Sequence, residues 1–406
     1  MPRREHPLSI MGILSGAWSF IKGGRAAWLT VLASIGLSLV GVYAIDVATI
    51  AVPHDASPAL GALAVKQLVY VCIGLGAGVL VLVPHYRAYG FASWFLLAAA
   101  VVLLVFLLIP FVPSTIVRPR NGARSWIDFG PADVQPSELA KIAYVVVLAW
   151  YLRFRKNHRT FKGLLPPAII TAVPVGLITL QPDLGTASLF VPALFAVLVA
   201  AGAKLKHLAA VVLIAAMAAP AAYPILKPHQ KERFVGLFKQ LRGDTSADQD
   251  INMQSVTAQR VAGAGEWEGA GDRQSRVLLK YNALPERHND MIFAVICNRF
   301  GFVGGATVLV LYAVWIAGAL LTAGLAREPF GRLVPVGFAA FIAAQVFINV
   351  GMNVGVVPII GITLPFVSHG GSSMIACWLM TGLVMAVAIR QPRISLRRTF
   401  EWDDEG

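Results

Sequence analysis

Residues 284–295 read LPERHNDMIFAV, so Glu286, Arg287, His288 and Asp290 run directly into an apolar stretch. A carboxylate at such a boundary has two uses. As an N-cap, Asp290 accepts from the free N–H groups of a helix's first turn. As a general base at the rim of a water-filled vestibule, it takes a proton from a substrate hydroxyl. Arg287 and His288 then stand close enough to tune it or to bind an anion.

Three more stretches carry polar groups among apolar neighbours. The first, residues 118–147, reads RPRNGARSWIDFGPADVQPSELAKIAYVVV. Pro136 suits a first helical turn, and Glu138 is favourable near a helix N-terminus. Glu138 and Lys141 are three residues apart and share a face. An ion pair at membrane depth lowers the cost of each charge. The pair either fixes a short helix or forms a polar wall for a charged headgroup. Arg124 has the donors to hold phosphate, and Trp126 suits a membrane interface.

In QPDLGTA, residues 181–187, Pro182 and Gly185 interrupt the helix. Asp183 there either caps the turn or points into a shared cavity. Residues 349–374, NVGMNVGVVPIIGITLPFVSHGGSSM, alternate apolar side chains with Gly and Pro. Non-helical backbone near a membrane is tolerated only where protein or a cavity satisfies it. A folded loop capping the bundle is expected, ending on Ser368, His369 and Ser372.

The elements that must position these groups follow from composition. The 406 residues are 57% hydrophobic and 14% charged, against roughly 25% charged in an average soluble domain. That excludes a soluble globular protein. Apolar segments lie near 28–51, 60–84, 89–113, 138–154, 165–180, 185–202, 207–226, 290–322, 331–357 and 371–390. Each suits a helix crossing about 30 Å of hydrocarbon. The expected fold is an all-α polytopic membrane protein of about ten transmembrane helices. A large extracytoplasmic loop, 227–289, joins helices 7 and 8. The domain plan is a cytoplasmic N-terminal segment at 1–27, a membrane domain at 28–391 and a cytoplasmic tail at 392–406. LSIMGILSGAWSFIKGG before the first span suits an interfacial helix.

Basic residues orient the bundle. Arg3, Arg4, Lys22, Arg25, Arg87, the stretch RFRKNHRTFK at 153–162, Lys204, Lys206, Arg327, Arg332, Arg390, Arg393, Arg397 and Arg398 fall on one side. They make 18 of the 34 Lys and Arg, which places both termini in the cytoplasm by the positive-inside rule. Anionic inner-leaflet lipid accounts for the net charge of +13 without nucleic acid. With Glu5, Asp46, Glu328 and the tail at 401–405 set apart, the carboxylates fall on the outer half, so any chemistry belongs there. Cys72, Cys297 and Cys377 lie inside spans and suggest neither disulfide nor zinc site.

Within the long loop, KERFVGLFKQLR spaces Phe234, Leu237, Phe238 and Leu241 as an amphipathic helix. INMQSVTAQRV suits another short helix. GAGEWEGAG at 263–271 matches no phosphate-loop spacing and reads as a flexible loop.

Together, NGARSWIDFGPADVQPSELAK, QPDLGTA, LPERHNDMIFAV and NVGMNVGVVPIIGITLPFVSHGGSS resemble the SEDS family (shape, elongation, division and sporulation), whose members include RodA and FtsW. The motifs occur in the family's order, and the likeness covers about 28–391. The resemblance implies ten spans with both ends cytoplasmic, and peptidoglycan glycosyltransferase activity on lipid II and a nascent glycan strand. It implies a class B penicillin-binding protein as partner, and a bacterial inner-membrane location. Asp290 matches the family's essential aspartate, the base toward the acceptor 4-hydroxyl. Arg124 and Lys141 match cavity positions. Glu138, Asp183, Arg287, His288, Ser368 and Ser372 complete the expected substrate-binding set. Mg²⁺ or Mn²⁺ bridging the phosphates is expected, with no protein ligand set assigned. Departures fall at Asn298 and Arg299, where the family has two acids, at Asn289 for threonine and at His369 for tyrosine. ERHND and the short tails resemble the elongation (RodA-like) form. The alternatives are a division-type (FtsW-like) polymerase, a flippase for a lipid-linked precursor, and an inactive scaffold for the penicillin-binding protein.

Overall fold

A computed structural model describes residues 24–49, 60–119, 123–130, 133–222, 252–282 and 284–390, with isolated positions between 231 and 242. The expected interfacial helix before residue 24, and Phe234, Leu237 and Leu241 of the amphipathic segment, lie outside the described residues.

Each of the ten apolar segments carries a helix. These are α1 (Arg25–Thr49), α2 (Ala62–Leu80), α4 (Ser93–Leu108), α5 (Pro136–Leu152), α6 (Leu165–Leu180), α8 (Phe190–Ala200), α9 (Leu205–Ala222), α12 (Ile292–Leu325), α13 (Pro329–Asn353) and α14 (Gly371–Ile389). Short helices α3 (Tyr86–Phe91), α7 (Leu184–Ser188), α10 (Met253–Gly263) and α11 (Asp272–Tyr281) lie between them. A two-residue ribbon pairs β1 (Ile127–Asp128) antiparallel with β2 (Asp133–Val134). Among the described residues, six helices are long and apolar enough to cross a membrane, and three apolar helices are shorter. Lipid-facing side chains such as Leu32, Leu39, Val79 and Phe95 are exposed, as a hydrocarbon solvent requires. Pro136 and Pro329 open α5 and α13, where a missing N–H costs nothing.

α1 packs along α12, α2 along α14, α4 along α5, and α13 along α8 and α12. One end of the bundle gathers basic loops. Arg87 pairs with Glu328 at 2.8 Å, and Arg390 donates to the carbonyls of Leu82 and Val83. The opposite end gathers the β1–β2 ribbon, the α6–α7 turn, residues 284–290 and the loop 354–370.

Two expectations change here. Asp46, set apart from the outer carboxylates, bonds to Arg276 of the long loop at 2.8 Å. It therefore belongs to the end of the bundle opposite the basic loops. The glycine-rich stretch 263–271 is not a flexible loop, because α12 breaks at Gly301 (φ 67°, ψ −163°) and the stretch packs into the break. Ala270 N–H donates to the Asn298 carbonyl at 2.9 Å, and Phe302 N–H donates to Glu266 at 2.8 Å. Gly301 has the left-handed backbone that glycine tolerates. A Cβ there would lie 2.3 Å from the Trp267 carbonyl oxygen. Asn298 is buried beside the break and donates to Val261 at 2.8 Å.

Candidate active site at the polar end of the bundle

The end opposite the basic loops is organised by a stripe that composition conceals. Gln345, Asn349 and Asn353 recur every four residues along α13 and share one face. All three are buried, and buried amides must find partners. Gln345 donates to the Thr363 carbonyl at 2.9 Å and accepts from Lys141 Nζ at 3.3 Å. Asn349 donates to Ile362 at 2.7 Å and to the Asp290 carbonyl at 2.9 Å. Asn353 also donates to the Asp290 carbonyl, at 3.0 Å, and accepts from Ala294 N–H at 3.2 Å. The stripe thus joins α5, the folded loop and the start of α12.

The loop 354–370 is folded, as expected, with Ile362, Leu364, Phe366 and Val367 buried. Side chains satisfy its backbone. Gln67 donates to the Ser368 carbonyl at 3.0 Å, and Tyr312 donates to Pro365. Ser368 is committed in both directions: its hydroxyl donates to Asn289 at 2.7 Å and accepts from Leu364 N–H at 2.7 Å. His369 N–H donates to the His288 carbonyl at 2.9 Å.

Asp290 is not the helix cap. α12 begins at Ile292, with Met291 in the cap position, and Asn353 of another helix takes the Ala294 N–H. The carbonyl of Asp290 is held by two amides while its half-buried carboxylate faces Gly361. A Cβ on Gly361 would lie 3.4 Å from Asp290 Oδ2, and Gly361 has φ +80°. Gly361→Ala therefore combines left-handed strain of about 1–2 kcal/mol with contact on the carboxylate. A severalfold loss of turnover is expected, with a small drop in melting temperature. An unchanged rate would mean that the carboxylate does not need that space.

The Glu138–Lys141 pair is buried. Nζ lies 2.9 Å from Oε1 and 2.8 Å from Oε2, and Lys141 is 2% exposed. Asp183 both caps and faces the same region. Its Oδ1 accepts from Thr186 N–H at 3.0 Å, and its Oδ2 accepts from Gln135 at 3.3 Å. Burial pushes its carboxyl above the usual range, with Glu138 adding to the shift. Ser372 donates to the Asp133 carbonyl at 2.7 Å and accepts from Gln135 N–H at 3.0 Å, pinning the ribbon to α14. Arg124 donates through Nη2 to Val112 at 3.3 Å. Its Nε is buried without a hydrogen-bond partner among the described residues. Arg287 spends one Nη on the Leu279 carbonyl at 3.0 Å.

His288 and His369 face each other with ring centroids 6.0 Å apart. Burial lowers both pKa values, and His369 falls to about 4, with His288 and Lys66 contributing. Both rings are neutral at pH 7. A histidine pKa depressed by folding means that the unfolded chain binds more protons below about 6.5. Stability is therefore full above that value and is lost as pH falls toward 4. His369→Gln should flatten the fall in melting temperature between pH 6.5 and 4. An identical slope in the variant would exclude His369 as its source.

Among the described residues, no group of three His, Cys, Asp or Glu side chains is placed to hold a metal ion. Sequence reading also missed the α13 amides, for which the signal was polar residues four apart within an apolar span.

The FtsW/RodA/SpoVE family model, described as a cell cycle protein, matches residues 25–392. A probable peptidoglycan glycosyltransferase FtsW of Pseudomonas fluorescens is 32% identical, across 80% of this chain and 78% of that one. The stage V sporulation protein E of Bacillus subtilis is 33% identical, across 80% and 86%. Among solved structures, a chain of a peptidoglycan synthase complex that coordinates polymerization and crosslinking superposes with TM-score 0.73. It shares 30% identity, over 89% of this chain and 97% of that one. The rod shape determining protein RodA of Thermus thermophilus superposes with TM-score 0.65 at 26% identity, over 90% and 97%. With the family model spanning nearly every described residue, the chain belongs to the FtsW/RodA/SpoVE family, the SEDS membrane proteins.

Proposed function

We propose that this chain is a peptidoglycan glycosyltransferase that polymerises lipid II on the outer face of the bacterial inner membrane. The observation that carries the reading is the treatment of Asp290. Two buried amides fix its backbone, another residue occupies the cap position, and its carboxylate opens toward the folded loop.

Asp290 takes the proton of the acceptor 4-hydroxyl as its oxygen attacks the donor's anomeric carbon. The bond from that carbon to the pyrophosphate oxygen breaks, and the α-linked centre inverts to a β-1,4 link. Arg124 and Arg287 offer guanidinium donors to the departing pyrophosphate, where preorganised charge acts most strongly. Glu138, Lys141 and Asp183 line the polar wall for the headgroup, and His288 contributes a neutral ring at its edge. Ser368 and Ser372 pin the backbone of the two loops that frame the site. A divalent cation, Mg²⁺ or Mn²⁺, arrives with the substrate phosphates rather than in a protein cage.

The partner is a class B penicillin-binding protein, a reading supported by the structural likeness to a synthase complex. Both termini lie in the cytoplasm, by the distribution of Lys and Arg. The resemblance of residues 286–290, ERHND, to the elongation form supports a role in cell elongation. Rescue of an elongation-depleted strain but not a division-depleted one is the expected outcome. The activity itself is tested by incubating labelled lipid II with the purified protein, its cognate penicillin-binding protein and Mg²⁺ or Mn²⁺. Long strands cleavable by a muramidase are expected; their absence in a folded, partner-bound complex would overturn the reading.

A further inference from the structure

The segment that carries Asp290 is fastened at both ends to the same face of α1. At its start, Asp272 Oδ2 accepts from Arg276 Nε at 2.8 Å, and Oδ1 accepts from the Tyr43 hydroxyl at 3.0 Å. At its end, Arg299 Nε donates to that same Tyr43 oxygen at 3.1 Å and lies 3.7 Å from Asp272 Oδ1. The Tyr43 hydroxyl therefore donates to one end and accepts from the other, the dual use a phenol allows. The Arg299 guanidinium lies 4.8 Å from the Phe300 ring, which packs 5.5 Å from Tyr43. Arg276 is 6% exposed and anchors the arrangement through Asp46, by Nη2 to Oδ2 at 2.8 Å and Nη1 to the carbonyl at 3.1 Å. Tyr43 and Asp46, three residues apart, present these groups from one helical face.

Two carboxylates and two guanidiniums balance within the cluster. Arg299, a cation where the family has an acid, is matched by Asp272 of the long loop. Arg276 and Asp46 hold α11 to α1, and Arg287 ties the far end of α11 to the turn before Asp290. The Tyr43 hydroxyl and the longer Arg299–Asp272 ion pair join the two ends of the 272–299 segment through side chains, beside the backbone bond from Ala270 N–H to the Asn298 carbonyl. Closing a segment at its ends removes much of the conformational freedom of what lies between. A general base must stand within hydrogen-bond reach of its proton, and a 1 Å misplacement costs roughly a hundredfold in rate.

We propose that Tyr43 and Arg299, bridged through Asp272, form a latch that positions Asp290 for proton abstraction. They are positioning residues and touch no substrate. The inference rests on Asp290 being the base.

The test compares wild type, Tyr43→Phe, Arg299→Lys and Arg299→Gln, each in complex with the cognate penicillin-binding protein. Lipid II polymerisation gives kcat and KM, and hydrogen exchange reports the amides of 284–290. Tyr43→Phe removes one oxygen and keeps the ring, so it carries the test if Arg299→Gln fails to fold. We expect it to lower kcat on the order of tenfold, less than a full 1 Å displacement would. KM should be unchanged and exchange at 284–290 faster. Arg299→Gln should behave alike, and Arg299→Lys should retain most of the rate. Unchanged kcat in Tyr43→Phe, or a rise in KM alone, would overturn the latch while leaving an active wild type intact. A wild type that makes no strands would instead sink the functional reading, and this role with it.

Discussion

Replacing Asp290 by asparagine is expected to lower lipid II polymerisation by about 10²–10⁴-fold, the usual contribution of a positioned general base. Asparagine keeps the size and polarity of the side chain but cannot accept the acceptor hydroxyl's proton. The hydrogen bonds from Asn349 and Asn353 reach its backbone carbonyl, so those two survive the substitution. Melting temperature and binding to the penicillin-binding protein should therefore stay near wild type. That combination separates the enzyme from a scaffold, which would tolerate the change in every assay. Strand synthesis within a few-fold of wild type would remove Asp290 from the chemistry.

Lys141→Met should give the largest loss of stability. The variant leaves Glu138, 4% exposed, without its cation. Breaking a buried pair from one side costs roughly 3–5 kcal/mol, whereas replacing both partners by neutral groups is often close to neutral. The double variant Glu138→Gln, Lys141→Met should thus regain most of the melting temperature lost by Lys141→Met. The two readings of the pair then part company. If the pair lines a headgroup wall, the refolded double variant stays inactive; this is the expected result. If it only fixes the start of α5, activity returns with stability.

The apolar helices and the end of the bundle that carries the polar groups were legible in the sequence because both are local properties. An apolar run about 20 residues long has few fates other than a span. Asp290, Glu138 and Asp183 stood out because charge at a helix end in such a chain demands a reason. What was not legible depends on distant partners. Asp46 looked unplaced until Arg276, 230 residues away, came to lie beside it. The glycines at 263–271 suggested freedom, yet they allow the loop to enter the break of α12 at Gly301. Asn289 and His369, departures from the family pattern, act through local contacts: Asn289 donates to Glu286 at 2.6 Å, and His369 sits beside His288 and Tyr70. Nor did the sequence foretell that the hydroxyls of Ser368 and Ser372 are engaged by backbone on two sides. Each case turns on which residues meet in three dimensions, which helical periodicity does not encode.

Whether the polar cluster at this end of the bundle performs synthesis or serves transport is the central question for this chain. The direct measurement reconstitutes wild type and Asp290→Asn, each with the cognate penicillin-binding protein, in vesicles carrying labelled lipid II only in the leaflet that meets the outer end. Strand formation and transbilayer movement of the label are followed together. Strands from wild type alone, without movement of lipid II between leaflets, are predicted. Movement of the label with no strands, equal in both proteins, would contradict the account and make the polar wall a transport path.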